Sequence, residues 1–125
     1  MRLFKTKWFR RWAYKEGLDD AALVTAAKEI VAGVFDASLG HCLYKKRIAR
    51  PGGGKSGGYR VIVAYKIPNQ DRIVFAFGFP KSVQSNISII EKEALGKLAE
   101  TLLNASDDEI GILLKDLKLI EIIAG

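Results

Sequence analysis

Cysteine is almost missing. Cys42 is the only one in 125 residues, so no intrachain disulfide can form and no thiolate metal cluster can assemble. Histidine is equally scarce. His41 stands alone, which excludes a two-histidine acid–base pair and reads more simply as a structural residue. Long apolar runs are absent too, and stretches such as "IVFAFGF" are far too short to span a bilayer. The opening "MRLFKTKWFRRWAYK" is basic and has no apolar stretch behind it, so it is no secretory signal. It imitates an organelle transit peptide, but the folded-helix reading of the same pattern is preferred. These absences point to a reduced, cytoplasmic setting. The 125 residues suit a single domain, and a 49% hydrophobic content supplies a core without staples.

Charge is present but uneven. Residues 1–60 hold 13 Lys/Arg against 5 Asp/Glu, whereas residues 61–125 hold 7 against 9. A positive half beside a slightly negative one suggests a face turned toward an anion, and nucleic acid is the usual large anion of a cytosol. The plain alternative is a solvated basic surface.

Along the chain, "RLFKT" suits a short opening strand. Phe4, Trp8 and Trp12 recur every four residues among cations, which predicts a short helix ending near Gly17. Asp19 is placed to cap a second helix with Leu23, Ala27, Ile30, Val31 and Val34 as its buried stripe. Ser38 to Gly40 break that pattern. Three β-type segments follow, "CLYKKRIA", "GYRVIVAYKI" and "RIVFAFGF", whose tight connections favour antiparallel pairing. The third is apolar almost throughout, as expected of a central strand covered on both faces. Ser88 with Glu91 and Ser106 with Glu109 read as capping boxes of two further helices, and "LIEII" closes the chain as a strand or an apolar tail. The expected architecture is α+β: two N-terminal helices on a small twisted antiparallel sheet, with C-terminal helices.

The densest feature is "KKRIARPGGGKSGGYR", residues 45–60, with six cations, five glycines and no carboxylate in sixteen positions. Its Gly-Lys-Ser triplet is not a P-loop. The glycine required five positions before Gly54 is Ala49, and a strand rather than a helix follows. The remaining reading is a connection whose glycines let backbone approach a phosphate chain, with Lys45, Lys46, Arg47, Arg50, Lys55 and Arg60 supplying charge. Strand alternation sets Lys45 and Arg47 on one face and Lys46 on the other. Tyr59 is available to stack on a base. "DDE" at 107–109 suits a helix first turn better than metal ligation, so no metal ligands and no cofactor are expected.

"KKRIARPGGGKSGGYRVIVAYK", then "RIVFAFGFPKSVQSNIS", together with the earlier "FKTKWFRRWAYKEGLDDAAL", resembles the RelE/HigB-like toxins of type II toxin–antitoxin modules over roughly residues 2–104. The resemblance implies a microbial-ribonuclease-like fold and cleavage of messenger RNA, usually on the ribosome. It also implies silencing by a cognate antitoxin, often with a helix-turn-helix domain. The implied chemistry uses no metal: the ribose 2′-OH attacks the adjacent phosphate and leaves a 2′,3′-cyclic phosphate. Arg and Lys stabilise the charge gained in that transition state, and a lysine crowded by cations gives up its proton more readily. On this resemblance Arg47 and Arg60 clamp the phosphate, Lys55 or Lys45 handles protons, and Lys81 grips the backbone. Lys46, Arg50, Gly57, Gly58, Tyr59 and Asn86 contact RNA. Relatives often read "YGFAKNERANIS" where this chain reads "FGFPKSVQSNIS", so Phe77 lacks a hydroxyl and Gln84 replaces an arginine. Residues 105–125 extend past the resemblance as a C-terminal helix and tail, expected to cover the sheet or mediate self-association. The alternatives are a non-catalytic RNA- or partner-binding module on the same fold, and a ParE-like gyrase inhibitor.

Overall fold

A computed structural model of the chain describes residues 1–50, 58–66 and 71–123. β1 (Arg2–Thr6) leads directly into α1 (Lys7–Glu16). Thr6 holds an extended backbone and its hydroxyl accepts from the Phe9 N–H, which makes it the cap where strand turns into helix. Gly17, at φ 77°, ends α1 in the left-handed conformation that glycine takes without strain. Asp19 caps α2 (Asp20–Val31) by accepting from Ala22 N–H at 2.9 Å. The strands β2 (Ala37–Gly40), β3 (Leu43–Ile48), β4 (Tyr59–Tyr65) and β5 (Arg72–Pro80) follow. Then come α3 (Ile89–Asn104), α4 (Asp107–Lys115) and β6 (Leu119–Ile122). Both expected capping boxes are formed, by Ser88 with Glu91 and by Ser106 with Glu109.

The sheet corrects the expected architecture. Its six strands run in the order β2-β3-β4-β5-β1-β6, and it is mixed rather than small and antiparallel. β2 to β5 pair antiparallel, but β1 lies parallel to β5 and β6 antiparallel to β1. The two N-terminal helices therefore come after a strand and form part of a long crossover, which a parallel neighbour requires. The four-residue spacing of Phe4, Trp8 and Trp12 straddles the junction: the helix ends at Gly17 as expected, but Phe4 belongs to the strand before it. Phe4 lies in β1 and packs with α3 and α4, whereas Trp12 lies in α1 and packs on the opposite face. β2 goes unread in the sequence because "ASLG" is only four residues and weakly apolar. It turns into β3 through His41 and Cys42, both at positive φ, as a tight hairpin demands.

Helices cover both faces. On one, Phe9, Leu23, Ala26, Ala27 and Ile30 of α1 and α2 pack on Val61, Val63, Ile73 and Phe75. On the other, Leu95, Ala99, Leu102 and Ile110 of α3 and α4 pack on Leu43, Ile62, Ala64 and Val74. β4 and β5 thus feed two cores by turns, which is why they read as almost unbroken apolar runs. The stripe of α2 stops at Ile30; Val31 and Val34, expected within it, are exposed. "LIEII" supplies the edge strand β6. No helix among the described residues is long and apolar enough to cross a membrane.

Candidate functional site

The strand period sorts the cations. On β3, Leu43 faces α3 while Tyr44 and Ile48 face α1 and α2. Lys45 and Arg47 therefore share the α3 side and Lys46 takes the other. On β4, Ile62 and Ala64 face α3, which sets Arg60 on that side as well. Arg47 and Arg60 are direct register partners, with Phe79 of β5 next in the row. Paired Cα atoms on neighbouring strands stand about 5 Å apart. One row further on, Lys45 pairs with Ile62 and Ile62 with Phe77. Lys81 follows the end of β5, and its backbone N–H donates to Gly58 O at 3.1 Å, so the chain leaves the sheet beside this row.

One carboxylate answers three cations here. Asp36, just before β2, pairs with Arg60 Nε at 3.1 Å. Arg60 itself is only 8% exposed. Among the described residues, neither Lys45 nor Arg47 is in an ion pair. Like charges directly opposite on a ladder repel, and an anion placed over them removes the cost. Guanidinium groups suit phosphate because their forked donors match two of its oxygens.

The same sheet face carries a second register pair of arginines, Arg2 and Arg72, and there the charge is answered fully. Arg2 donates to both Glu121 oxygens at 2.9 Å. That bond holds Glu121 below the usual carboxylate range and raises Arg2 above its own ordinary value. Arg72 donates to Leu102 O at 2.7 Å, Ala105 O at 2.8 Å and Asp107 at 3.2 Å. Its guanidinium ties the last turn of α3 to the first turn of α4.

Other candidates are placed elsewhere. Lys46 is buried and pairs with Glu29 of α2 at 3.3 Å, on the face away from Arg47. Tyr59 packs in the α1/α2 core and its hydroxyl donates to Glu16 O at 3.2 Å, so its ring is engaged in packing. Arg50 is exposed with its guanidinium 5.7 Å from the Tyr59 ring centre. Gly58 has a plain steric role: a Cβ there would come within 2.7 Å of Ile48 O. Asn86 is exposed and accepts from Ile87 N–H at 3.0 Å, while Gln84 donates to Asn86 O at 2.9 Å. Lys55 and Gly57 lie outside the described residues.

Asp36 was not singled out in the sequence. It stands 24 positions from Arg60 in a segment without a motif, and only the β2–β3–β4 stacking joins them. The structure thus brings together Lys45, Arg47 and Arg60, with Lys81 at the exit of β5, and separates Lys46 and Tyr59 from them.

No curated protein matches the chain. A family model described as RelE toxin of RelE / RelB toxin-antitoxin system matches residues 1–122, running past residue 104 to include α4 and β6. With nearly its whole length inside that match, the chain belongs to the RelE toxin family.

Proposed function

We infer that this toxin of a toxin–antitoxin module is a metal-independent endoribonuclease acting on messenger RNA, on the ribosome, and that an antitoxin with a helix-turn-helix domain silences it. The observation that carries the reading is the Arg47–Arg60 pair, set side by side on one face with Lys45 beside it and a single carboxylate among them. A phosphodiester bound between the two guanidiniums is stabilised further as charge builds on its oxygens. The 2′-oxygen forms a bond to phosphorus and the bond from phosphorus to the 5′-oxygen breaks. The 2′-OH proton leaves to Lys45 or Lys55, and the 5′-oxygen takes up a proton. The products are a 2′,3′-cyclic phosphate and a 5′-OH. Lys81 and Arg50 hold the flanking backbone.

One specific observation favours a second reading, an RNA-binding module without cleavage. Arg60 is buried and already bound to Asp36, so phosphate must compete for it. Incubation of the purified chain with ribosomes programmed by a labelled message separates the two. The enzyme reading expects fragments with cyclic-phosphate ends that persist in a chelator and vanish in Arg47→Ala. Binding with intact message favours the second reading. Growth arrest with intact message and a DNA-damage response removes both in favour of gyrase.

A further inference from the structure

The carboxylate beside the basic rows stands on a firmly held backbone. Asp36 N–H donates to Lys45 O at 2.8 Å, and the next residue, Ala37, is the register partner of Lys45. On the other side, Phe35 packs edge-on against Tyr44 of β3 with ring centres 4.8 Å apart. Both neighbours of Asp36 are thus fixed to β3, one by the ladder and one by packing. From this anchor the side chain reaches past β3, the strand between β2 and β4, and sets Oδ2 3.1 Å from Arg60 Nε.

The edge of the guanidinium that it meets matters. Such a group carries one donor on Nε and two on each Nη. Asp36 occupies the Nε edge. Nη1 has a long contact to Tyr59 O at 3.5 Å, and Nη2 has no acceptor among the described residues. The Nη pair, which can fork onto two phosphate oxygens, is left over. Arg47 stands directly across the ladder from Arg60, and two guanidiniums so placed push each other apart. An unheld Arg60 relieves that repulsion by swinging aside, and a misplaced donor lowers the rate. A carboxylate on Nε opposes the swing. It also reduces the positive potential of the row, which weakens the hold on RNA before any bond is broken.

We propose that Asp36 is the positioning residue of the Arg47–Arg60 row, holding the Arg60 guanidinium for the phosphate while loosening the grip on uncut RNA. It acts through Arg60 alone and takes no proton. Phosphate then shares Arg60 with Asp36 and does not displace it. The proposal rests on the ribonuclease reading.

The test uses the full chain on ribosomes programmed with a labelled message, at single turnover. Affinity is read separately, with a message that carries 2′-deoxyribose at the mapped cleavage position and so binds without being cut. The Asp36 side chain is 32% exposed, so replacing it opens no cavity. Asp36→Ala should lower the saturating rate about 30- to 100-fold. It should tighten binding of the uncut message about 3- to 10-fold. Asp36→Asn keeps an oxygen for Arg60 Nε but no charge. Its rate should return to within about 5-fold of the unaltered chain, with the tighter binding kept and the rate–pH profile unchanged in shape. Cooperative melts of both variants are recorded alongside.

An unchanged rate in Asp36→Ala overturns the proposal. Rate and affinity lost together, with a lowered melting temperature, overturn it too, because a merely structural residue behaves that way. If Asp36→Asn is as slow as Asp36→Ala and the acid limb of its pH profile is gone, Asp36 is a proton acceptor and not a positioning residue. An unaltered chain that leaves every message whole sinks the ribonuclease reading and this proposal with it. Asp36 variants that cut as fast as the unaltered chain sink this proposal alone.

Discussion

Two pairs of arginines lie on one face of this sheet, and they are treated differently. Arg2 and Arg72 sit at one end, each with its own carboxylate, and Arg72 also holds two helix carbonyls. Arg47 and Arg60 sit at the other end of β4 and β5 with Asp36 alone between them. Register and strand alternation are shared. What differs is where α3 finishes: its last turn delivers carbonyls to Arg72, whereas the Arg47–Arg60 row lies beyond its cover. A buried cation held by a carboxylate and two carbonyls, like Arg72, is structural, and one whose neighbours are left unanswered is available to a ligand.

Substitution separates the two ends most sharply. Arg60→Ala should lower RNA cleavage about 100- to 1,000-fold, the scale of a lost transition-state donor, while the fold persists because partly exposed Asp36 regains water. Full activity in a single-turnover assay would remove Arg60 from the proposed chemistry. Arg72→Ala should do the reverse. It leaves Leu102 and Ala105 carbonyls without their donor and should cost about 3 kcal/mol in urea unfolding, with the specific activity of the folded fraction unchanged. Equal losses of stability in the two variants would erase the distinction.

A smaller effect tests burial itself. Tyr65 sits beside the Arg72 end but on the opposite face, and its hydroxyl is buried with no hydrogen-bond partner among the described residues. Burial also raises its pKa. Tyr65→Phe should raise stability by about 1 kcal/mol, since only an unsatisfied group is removed. A loss in thermal melting would show that the hydroxyl is bonded in solution.

The smallest effect is a pH dependence confined to the answered pair. Arg2 lowers the folded-state pKa of Glu121 from the ordinary 4.5. The ion pair therefore contributes its full stability above that ordinary value. The contribution fades as pH falls toward the depressed folded value. Glu121→Gln should lower the melting temperature slightly at neutral pH and flatten this part of the acid decline. An identical pH profile in the variant would argue that the pair is solvated away.

Local signals were legible where the physics is local. Asp19, Ser88 and Ser106 were readable as caps because a cap is a contact across three residues. Lys45 and Arg47 could be assigned to one face because the strand period is two. The fate of Tyr59 was not legible. Beside Arg60 in sequence it looks like part of the same cluster, yet adjacent strand positions face opposite cores, and Glu16 takes its hydroxyl. Strand β1 was readable, but its place inside the sheet was not, since a parallel pairing across some seventy residues leaves no short-range mark.

By itself, then, the sequence determined the helices, three of their caps, the three long strands and the unbalanced charge of residues 45–60, because each follows from neighbours within a few positions. Only the tertiary structure decided that the sheet is mixed and that Asp36 meets Arg60. It also decided which arginine pair is neutralised. Strand order and helix coverage are set by how two apolar faces are buried at once, and that depends on the whole chain rather than on any segment of it.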